Sequence, residues 1–273
     1  MAGGTVVAVR SFRGGTTSAV HRLTVRLRGG STREVVLRRY VRPEVLAEEP
    51  DLVGREARTL RLVAGLDVPT PELIGIDAAG ERTDVPALLM SALPGRVEWS
   101  PGVDRWLAGL AGLLPAIHAL RVPRDAVRRF RPYPQADYSP PPWTRRPDVW
   151  RRAVEIFHAP PPDLPVAFVH RDFHPGNVLW RRGGVTGVVD WHAASIGPPC
   201  VDVGHSRGNL FGYGLDVADR FTRIWERLTG ERYHPWADVV TIVGFLDGLR
   251  ERPGPDRWRL EEALARAVAR YMP

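Results

Sequence analysis

The chain has 273 residues, 44% hydrophobic and 25% charged, with a formal net charge of +7 carried by 38 basic residues, every one an arginine. These globular proportions exclude a wholly disordered or fibrous chain, and a single cysteine, Cys200, excludes an internal disulfide framework and a multi-cysteine zinc site. No stretch approaches the ~18 apolar residues of a membrane span, and the apolar run in MAGGTVVAVR is too short for a secretory signal, so a cytoplasmic protein with no membrane partner is expected.

Residues 4–40 alternate apolar and polar positions and are cut by glycine pairs (TVVAVRSF, RGGTTS, AVHRLTVRL, RGGST, REVVLRRY), a pattern that predicts three antiparallel strands joined by tight turns. EEPDLVGREARTLRLVAGL places Leu52, Ala57, Leu60, Val63 and Ala64 at helical spacing, with acidic residues at its start that suit the helix dipole. ELIGID and VPALLMSAL read as two more strands, broken at LPGR (93–96). Beyond that break the character changes. VDRWLAGLAGLLPAIHAL reads as one apolar helix, 122–165 is rich in Pro, Arg and aromatics without clear periodicity, VAFVH and GVTGVVDW are strand-like, and 215–271 is mostly amphipathic helix. Strands first and helices later predict an α+β chain: an antiparallel-sheet lobe over 1–93 and a larger helical lobe over 94–273, joined near 91–95.

The densest polar cluster is FVHRDFHPGNVLW followed by GVVDWH, so His170, Asp172, His174, Asn177 and Asp190 fall within 21 residues between apolar strands. That grouping suits phosphoryl transfer from a nucleotide, which needs a carboxylate to orient and deprotonate an acceptor hydroxyl and hard oxygen ligands for Mg²⁺. Asp172 followed five residues later by Asn177 has the catalytic-loop spacing H-R-D-x-x-x-x-N, and Asp190 then stands at the metal-binding aspartate, with Trp191 and His192 where protein kinases carry Phe and Gly.

With HRDFHPGN and the later GPPCVDVGH, the sequence resembles the aminoglycoside phosphotransferase and choline kinase-like family over nearly its whole length. The family's loop commonly reads H-G-D-x-H-P-G-N, and Arg171 in place of Gly is the departure. The resemblance implies a bilobal protein-kinase-like fold, Asp172 as catalytic base, Asn177 and Asp190 as magnesium ligands, and Asp202 as a support of the catalytic loop. His170 is expected to brace that loop and Arg171 to be structural. His174 stands where protein kinases carry a lysine; a phosphate-facing role for it stands beside a merely structural one.

A nucleotide clamp is expected from the N-terminal half. RGGTTSAV (13–20) resembles the family's G-G-x-x-N-x-V turn, with Ser18 in the Asn place and Val20 after it; an ordinary hairpin turn is the competing reading. VVLR matches the kinase V-A-I-K strand, so Val36 is expected to pack on the base and Arg38, in place of lysine, to reach phosphate, with Glu56 as its partner. The substitution is not neutral in principle, because the arginine fork is larger and less adaptable than an ammonium. LLMSALPG resembles the inter-lobe hinge, giving Met90 at the back of the pocket and the backbone of Ser91 to Leu93 as contacts to adenine. ATP or GTP with Mg²⁺ is thus the expected co-substrate.

Two other readings use the same residues. His170, Asp172, His174, Asp190, His192 and His205 together are a ligand set for zinc or a metal pair in a hydrolase, and the absent lysine admits a nucleotide-binding module without activity. For the acceptor, Tyr133, Tyr138, Trp143 and Trp150 lie in or beside an irregular segment that can wall a site, or can simply pack. The arginines are scattered, no basic run exceeding two, so nucleic acid is not expected as a partner. The basic balance favours a small hydroxyl-bearing acceptor that is neutral, weakly cationic or anionic, such as a sugar or an antibiotic of nucleoside or macrolide type, over a polycation.

Overall fold

The computed structural model describes residues 4–12, 18–100, 102–123, 125–251 and 253–271. The predicted three-strand start is present as β1 (Thr5–Ser11), β2 (Ala19–Arg26) and β3 (Thr32–Arg39). The β2–β3 turn closes where Gly30 takes φ +81 and its N–H donates to the Leu27 carbonyl. Most of the turn RGGTTSAV, 13–17, lies outside the described residues.

A short helix, α1 (Pro43–Glu48), precedes α2 (Leu52–Val63), which buries Leu52, Val53, Glu56, Ala57, Leu60 and Val63, the three-to-four spacing of one helical face. Strands β4 (Leu73–Asp77) and β5 (Ala87–Ser91) complete a five-stranded antiparallel sheet of order β1-β2-β3-β5-β4. Its register sets Val20 opposite Arg38, Arg22 opposite Val36, and Val36 opposite Met90. Paired residues share a face, so Val20, Arg22, Val36, Arg38 and Met90 all point to one side of the sheet.

The hinge follows. Gly95 takes φ +97, and a side chain there would meet the Trp180 carbonyl and Thr186 Oγ1 at 2.5 Å. The backbone crosses between the lobes at a spacing only glycine permits. Next come β6 (Arg96–Val97), α3 (Asp104–Ala111) and α4 (Leu114–His118). The apolar stretch read as one helix is two, because Pro115 has no N–H to continue the ladder and instead sits in the first turn of α4, where none is needed.

The rest of the helical lobe comprises β7 (Arg128–Arg129), α5 (Pro147–His158), β8 (Ala167–Val169), β9 (Val178–Arg181), β10 (Gly184–Val188), β11 (Ser195–Gly197), α6 (Cys200–Leu210), α7 (Leu215–Thr229), α8 (Trp236–Val243), α9 (Leu246–Glu251) and α10 (Arg257–Tyr271). Helix α6 is central, with ten of its eleven residues buried. Gly204 lets it approach α8, since a side chain there would lie 2.8 Å from the Ala237 carbonyl oxygen. Arg207 then ties the two helices with a bidentate pair to Asp238 at 2.8 and 3.0 Å. Among the described residues no helix is long and apolar enough to cross a membrane.

Candidate active site

The loop between β8 and β9 is held from beneath by α6. Asp202, fully buried, accepts from the backbone N–H of His170 at 2.9 Å and of Arg171 at 2.6 Å, and contacts His118 Nε2 at 3.0 Å. The expected support by Asp202 thus has a geometry: one carboxylate fixes two consecutive amides. His170 reaches the other way, its Nε2 within 3.0 Å of the Val189 carbonyl, which ties the loop to the strand leading to Asp190. Burial outweighs the surrounding carboxylates and lowers the His170 pKa, favouring the neutral ring.

Arg171 has φ +68, the left-handed region that glycine enters freely. A loop of this shape explains why Gly is common here in the resembled family. This chain keeps the shape with a side chain, whose guanidinium lies 3.5 Å from the Tyr133 ring centroid and donates to the Arg131 carbonyl at 3.1 Å. Arg171 is therefore packed into the helical lobe.

The carboxylate of Asp172 is gripped at both oxygens. Asn177 Nδ2 donates to Oδ2 at 3.0 Å and to the Asp172 carbonyl at 2.9 Å, and His205 Nε2 lies 2.9 Å from Oδ1. Burial disfavours the charged form, but the hydrogen bond and charge of His205 outweigh it and hold Asp172 well below the usual carboxylate range. Because Asn177 donates with its amide nitrogen, its Oδ1 remains as an acceptor for a cation.

Asp190 also has a left-handed backbone, φ +68, and its Oδ1 receives Arg38 Nη1 at 2.7 Å and His192 Nδ1 at 2.6 Å. Burial works against its ionisation, and Arg38 with His192 overcomes that and holds it charged. Its Oδ2 is the oxygen left to face a cation. Hard oxygens from a carboxylate and an amide suit Mg²⁺, so the donor set fits the expected ion. Trp191, fully buried, donates its indole N–H to the Val188 carbonyl at 3.0 Å and packs 4.5 Å from the His170 ring.

Arg38 joins the two lobes. Besides Asp190, it donates Nη1 to Glu56 Oε1 at 2.9 Å and Nε to Ser18 Oγ at 2.8 Å. Burial opposes its charge, but Glu56 and Asp190 raise its pKa above the ordinary arginine value. Ser18, expected on phosphate, is 6% exposed and accepts from Arg38 instead. The wider guanidinium fork accounts for the change, since it reaches three partners among the described residues at once. Val20, Val36 and Met90 line the same sheet face, as alternation required.

In the segment expected to be the hinge, the Ser91 N–H donates to the Glu72 carbonyl and Ser91 Oγ accepts from Glu72 N–H, so both serve the sheet edge and not a base. The Leu93 carbonyl accepts from Arg22 Nη2 at 2.8 Å. Sequence reasoning missed Arg22, although its place two residues after Val20 put it on the cleft face. Tyr40 was also missed. Its buried hydroxyl donates to Glu56 Oε2, the oxygen Arg38 does not use. Arg55 adds a further tie, from α2 to the His192 carbonyl at 3.3 Å.

Of the aromatic residues expected at the acceptor pocket, Tyr133 lies beside the catalytic loop, between Arg171 and His205. Burial pushes its hydroxyl pKa up to about 12. The other three pack elsewhere. Trp150 is 0% exposed and donates its indole N–H to Glu261 of α10, and Trp143 stacks edge-on against Trp150 and Trp258. Tyr138 rests on Phe157 and His158 of α5. Burying these rings in the α5–α10 core outweighs lining a cleft.

The hydrolase ligand set also comes apart. Among the described residues, only Asp172, His174 and His205 bring candidate ligand atoms within 4.8 Å of one another. His174 Nδ1 accepts the Gly176 N–H at 3.1 Å, so the neutral ring carries its proton on Nε2, leaving no lone pair for a metal. Burial lowers the His174 pKa to about 4, which keeps it neutral. The sign of the stability effect follows: with its ordinary value near 6.5, His174 binds a proton less readily folded than unfolded. Stability is expected to fall as pH drops from 6.5 to about 4, by on the order of 1–3 kcal/mol. Urea titrations across that window check this, and His174→Gln should flatten part of the slope.

A profile of the phosphotransferase enzyme family (APH) matches residues 16–237. Acyl-CoA dehydrogenase family member 10 of Mus musculus is 25% identical over 201 residues, covering 64% of this chain; the chain spans 18% of that relative's length. Among solved structures, aminoglycoside phosphotransferase APH(4)-Ia aligns with a TM-score of 0.66 at 19% identity, over 98% of this chain and 95% of its own. Macrolide 2′-phosphotransferase MphH from Brachybacterium faecium aligns with 0.59 at 17%, over 97% and 93%. A thermostable APH(4)-Ia variant that aligns with 0.65 at 19%, over 98% and 96%, was solved as a ternary complex with ADP and hygromycin B. At these identities the structures share the fold, an α+β, protein-kinase-like arrangement of a sheet lobe and a helical part. The profile runs from before β2 through the β8–β9 loop and α6, and the chain belongs to the phosphotransferase enzyme family.

Proposed function

We propose that the chain is a kinase that moves the γ-phosphoryl group of ATP or GTP to a hydroxyl of a small molecule. One observation carries the reading: Arg38 bridges Glu56 of α2 and Asp190 beyond β10 at 2.9 and 2.7 Å, across from the Asp172–Asn177 pair. A hydrolase built on the His/Asp cluster leaves that link between the lobes without a role. The ADP-bound APH(4)-Ia complex supports an adenine nucleotide as one co-substrate.

In this reading Val20, Val36 and Met90 pack on the base, and Arg38 turns its fork toward the phosphates. Asn177 and Asp190 would hold Mg²⁺, which would supply positive charge to neutralise the phosphates. Asp172 orients the acceptor hydroxyl and takes its proton as the oxygen bonds to the γ-phosphorus. The bond to the bridging oxygen then breaks, and its electron pair leaves on the nucleoside diphosphate. His174, neutral with Nε2–H outward from its Gly176 bond, donates toward the transferred group.

The +7 charge favours a neutral, weakly cationic or anionic acceptor, such as a sugar or a macrolide- or nucleoside-type antibiotic. Purified protein incubated with ATP or GTP and a panel of hydroxyl-bearing antibiotics and metabolites, followed by mass gain of a phosphoryl group, tests the activity. Efficient turnover of a polycationic aminoglycoside would overturn the acceptor class. Asp190→Ala should remove the magnesium dependence of nucleotide affinity, measured by calorimetry with and without Mg²⁺; an unchanged magnesium effect would reject the ligand assignment.

A further inference from the structure

Helix α6 presents three residues of one face, 202, 205 and 206, to the catalytic loop, each on a different part of it. Asp202 accepts the amides of His170 and Arg171, His205 Nε2 sits 2.9 Å from Asp172 Oδ1, and Ser206 Oγ donates to the Phe173 carbonyl at 2.8 Å. The spacing i, i+3, i+4 makes these neighbours on a helix. Two of the three contacts hold backbone, which any loop needs. The third holds the side chain proposed as the base.

His205 is fixed for that task. It is 7% exposed, and its ring is flanked by Phe245 at 5.3 Å, His174 at 5.7 Å and Tyr133 at 6.5 Å between centroids. Its backbone is fixed by α6, which Arg207 clamps to α8 two residues further on. Asp172 therefore lies between two nitrogens of different kinds: a neutral amide of its own loop that donates to Oδ2, and an imidazole of a separate, rigid helix 2.9 Å from Oδ1. A carboxylate bonded only by Asn177 could rotate about its last side-chain torsion. The second donor removes that freedom and determines which lone pairs remain to meet an acceptor hydroxyl.

We infer that His205 is a positioning residue that sets the orientation of Asp172 for proton abstraction, forming with it a dyad between α6 and the catalytic loop. The inference rests on the kinase reading for the role of Asp172, but the dyad itself does not. It also gives a use to a histidine whose position three residues after Asp202 is otherwise an ordinary buried helix site. An imidazole donor acts through the carboxylate and touches neither nucleotide nor metal ligand, so its removal should be felt in turnover and not in nucleotide binding.

The test uses the full chain with His205→Ala, His205→Gln, Asp172→Asn and the His205→Ala/Asp172→Asn double variant. In His205→Ala, kcat should fall about 10–100-fold with nucleotide KM and Kd within about two-fold of wild type. His205→Gln, which returns an N–H donor, should recover most of the loss; His205→Leu, which fills the site without a donor, serves in place of His205→Ala if that variant does not fold. In the Asp172→Asn background the His205→Ala change should add little, as expected for residues acting as one unit. Turnover of His205→Ala, or of His205→Leu in its place, equal to wild type, a His205→Gln loss as large as that of His205→Ala, or fully additive losses, would overturn the inference.

A second readout needs no turnover. In ¹⁵N-detected spectra of the imidazoles, Asp172→Asn should move the His205 Nε2 resonance, and an unmoved resonance overturns the dyad. If that resonance moves while wild-type protein binds no nucleotide and transfers no phosphoryl group, the kinase reading fails and the positioning role in catalysis fails with it; the α6–loop contact alone stands.

Discussion

Asp172→Asn should lower turnover by about 10²–10⁴-fold, the range for loss of a general base, with nucleotide affinity within a few-fold of wild type. Asn177 Nδ2 donates to one Asp172 oxygen, and His205 Nε2 lies 2.9 Å from the other. An asparagine there presents one acceptor and one donor, so its amide nitrogen must face one of two N–H groups. One contact is lost, and so is the capacity to take a proton. Asn177 keeps its bond to the backbone carbonyl of residue 172, and Asp190 makes no hydrogen bond with that carboxylate, so the proposed cation and nucleotide contacts are kept. Rates by mass-detected phosphoryl transfer and affinity by calorimetry measure the two halves separately. Near-normal turnover would remove Asp172 from the role of base.

Arg38→Met should have the largest effect on stability. Arg38 is 6% exposed and bridges Glu56 and Asp190, of which Glu56 is itself 1% exposed. Removing the cation leaves two carboxylates facing one another in a site with little water, and breaking a buried pair costs about 3–5 kcal/mol. For a chain of this size that corresponds to a fall in melting temperature of roughly 10 °C. Arg38→Lys keeps the charge but not the planar fork, so it should keep the pairing with the carboxylates and lose the Ser18 contact. A drop less than half as large is expected. Thermal unfolding of the two variants against wild type checks the order, and a methionine variant as stable as wild type would show the bridge to be dispensable.

The same arginine shows where sequence reasoning reaches its limit. Alternation along VVLR placed Val36 and Arg38 on one face, and the kinase pattern supplied Glu56 as partner; both agree with the register and with the 2.9 Å pair. Nothing local indicated that Arg38 also engages Asp190, 152 residues away. Likewise Arg22 meets Leu93 across 71 residues and Tyr40 meets Glu56 across 16. Trp150 fails in the opposite sense. Its neighbourhood of Pro, Arg and aromatics looked like a pocket wall, and only the packing of α5 on α10 reveals a core side chain.

By itself the sequence determined the order of the strands at the start, the helix that carries Glu56, and the loop HRDFHPGN with Asp172, Asn177 and Asp190, because these depend on alternation, helical period and short spacings along the chain. It also determined the charge available at position 38. The tertiary structure alone decided what those charges touch: the α6 face that grips the loop through Asp202, His205 and Ser206, the bridge from Arg38 to both lobes, and the hydrogen bond that fixes the proton on His174. The physical reason is that a buried polar group must find a partner wherever the fold brings one. That partner is set by how helices and sheets pack, at separations that no local pattern records.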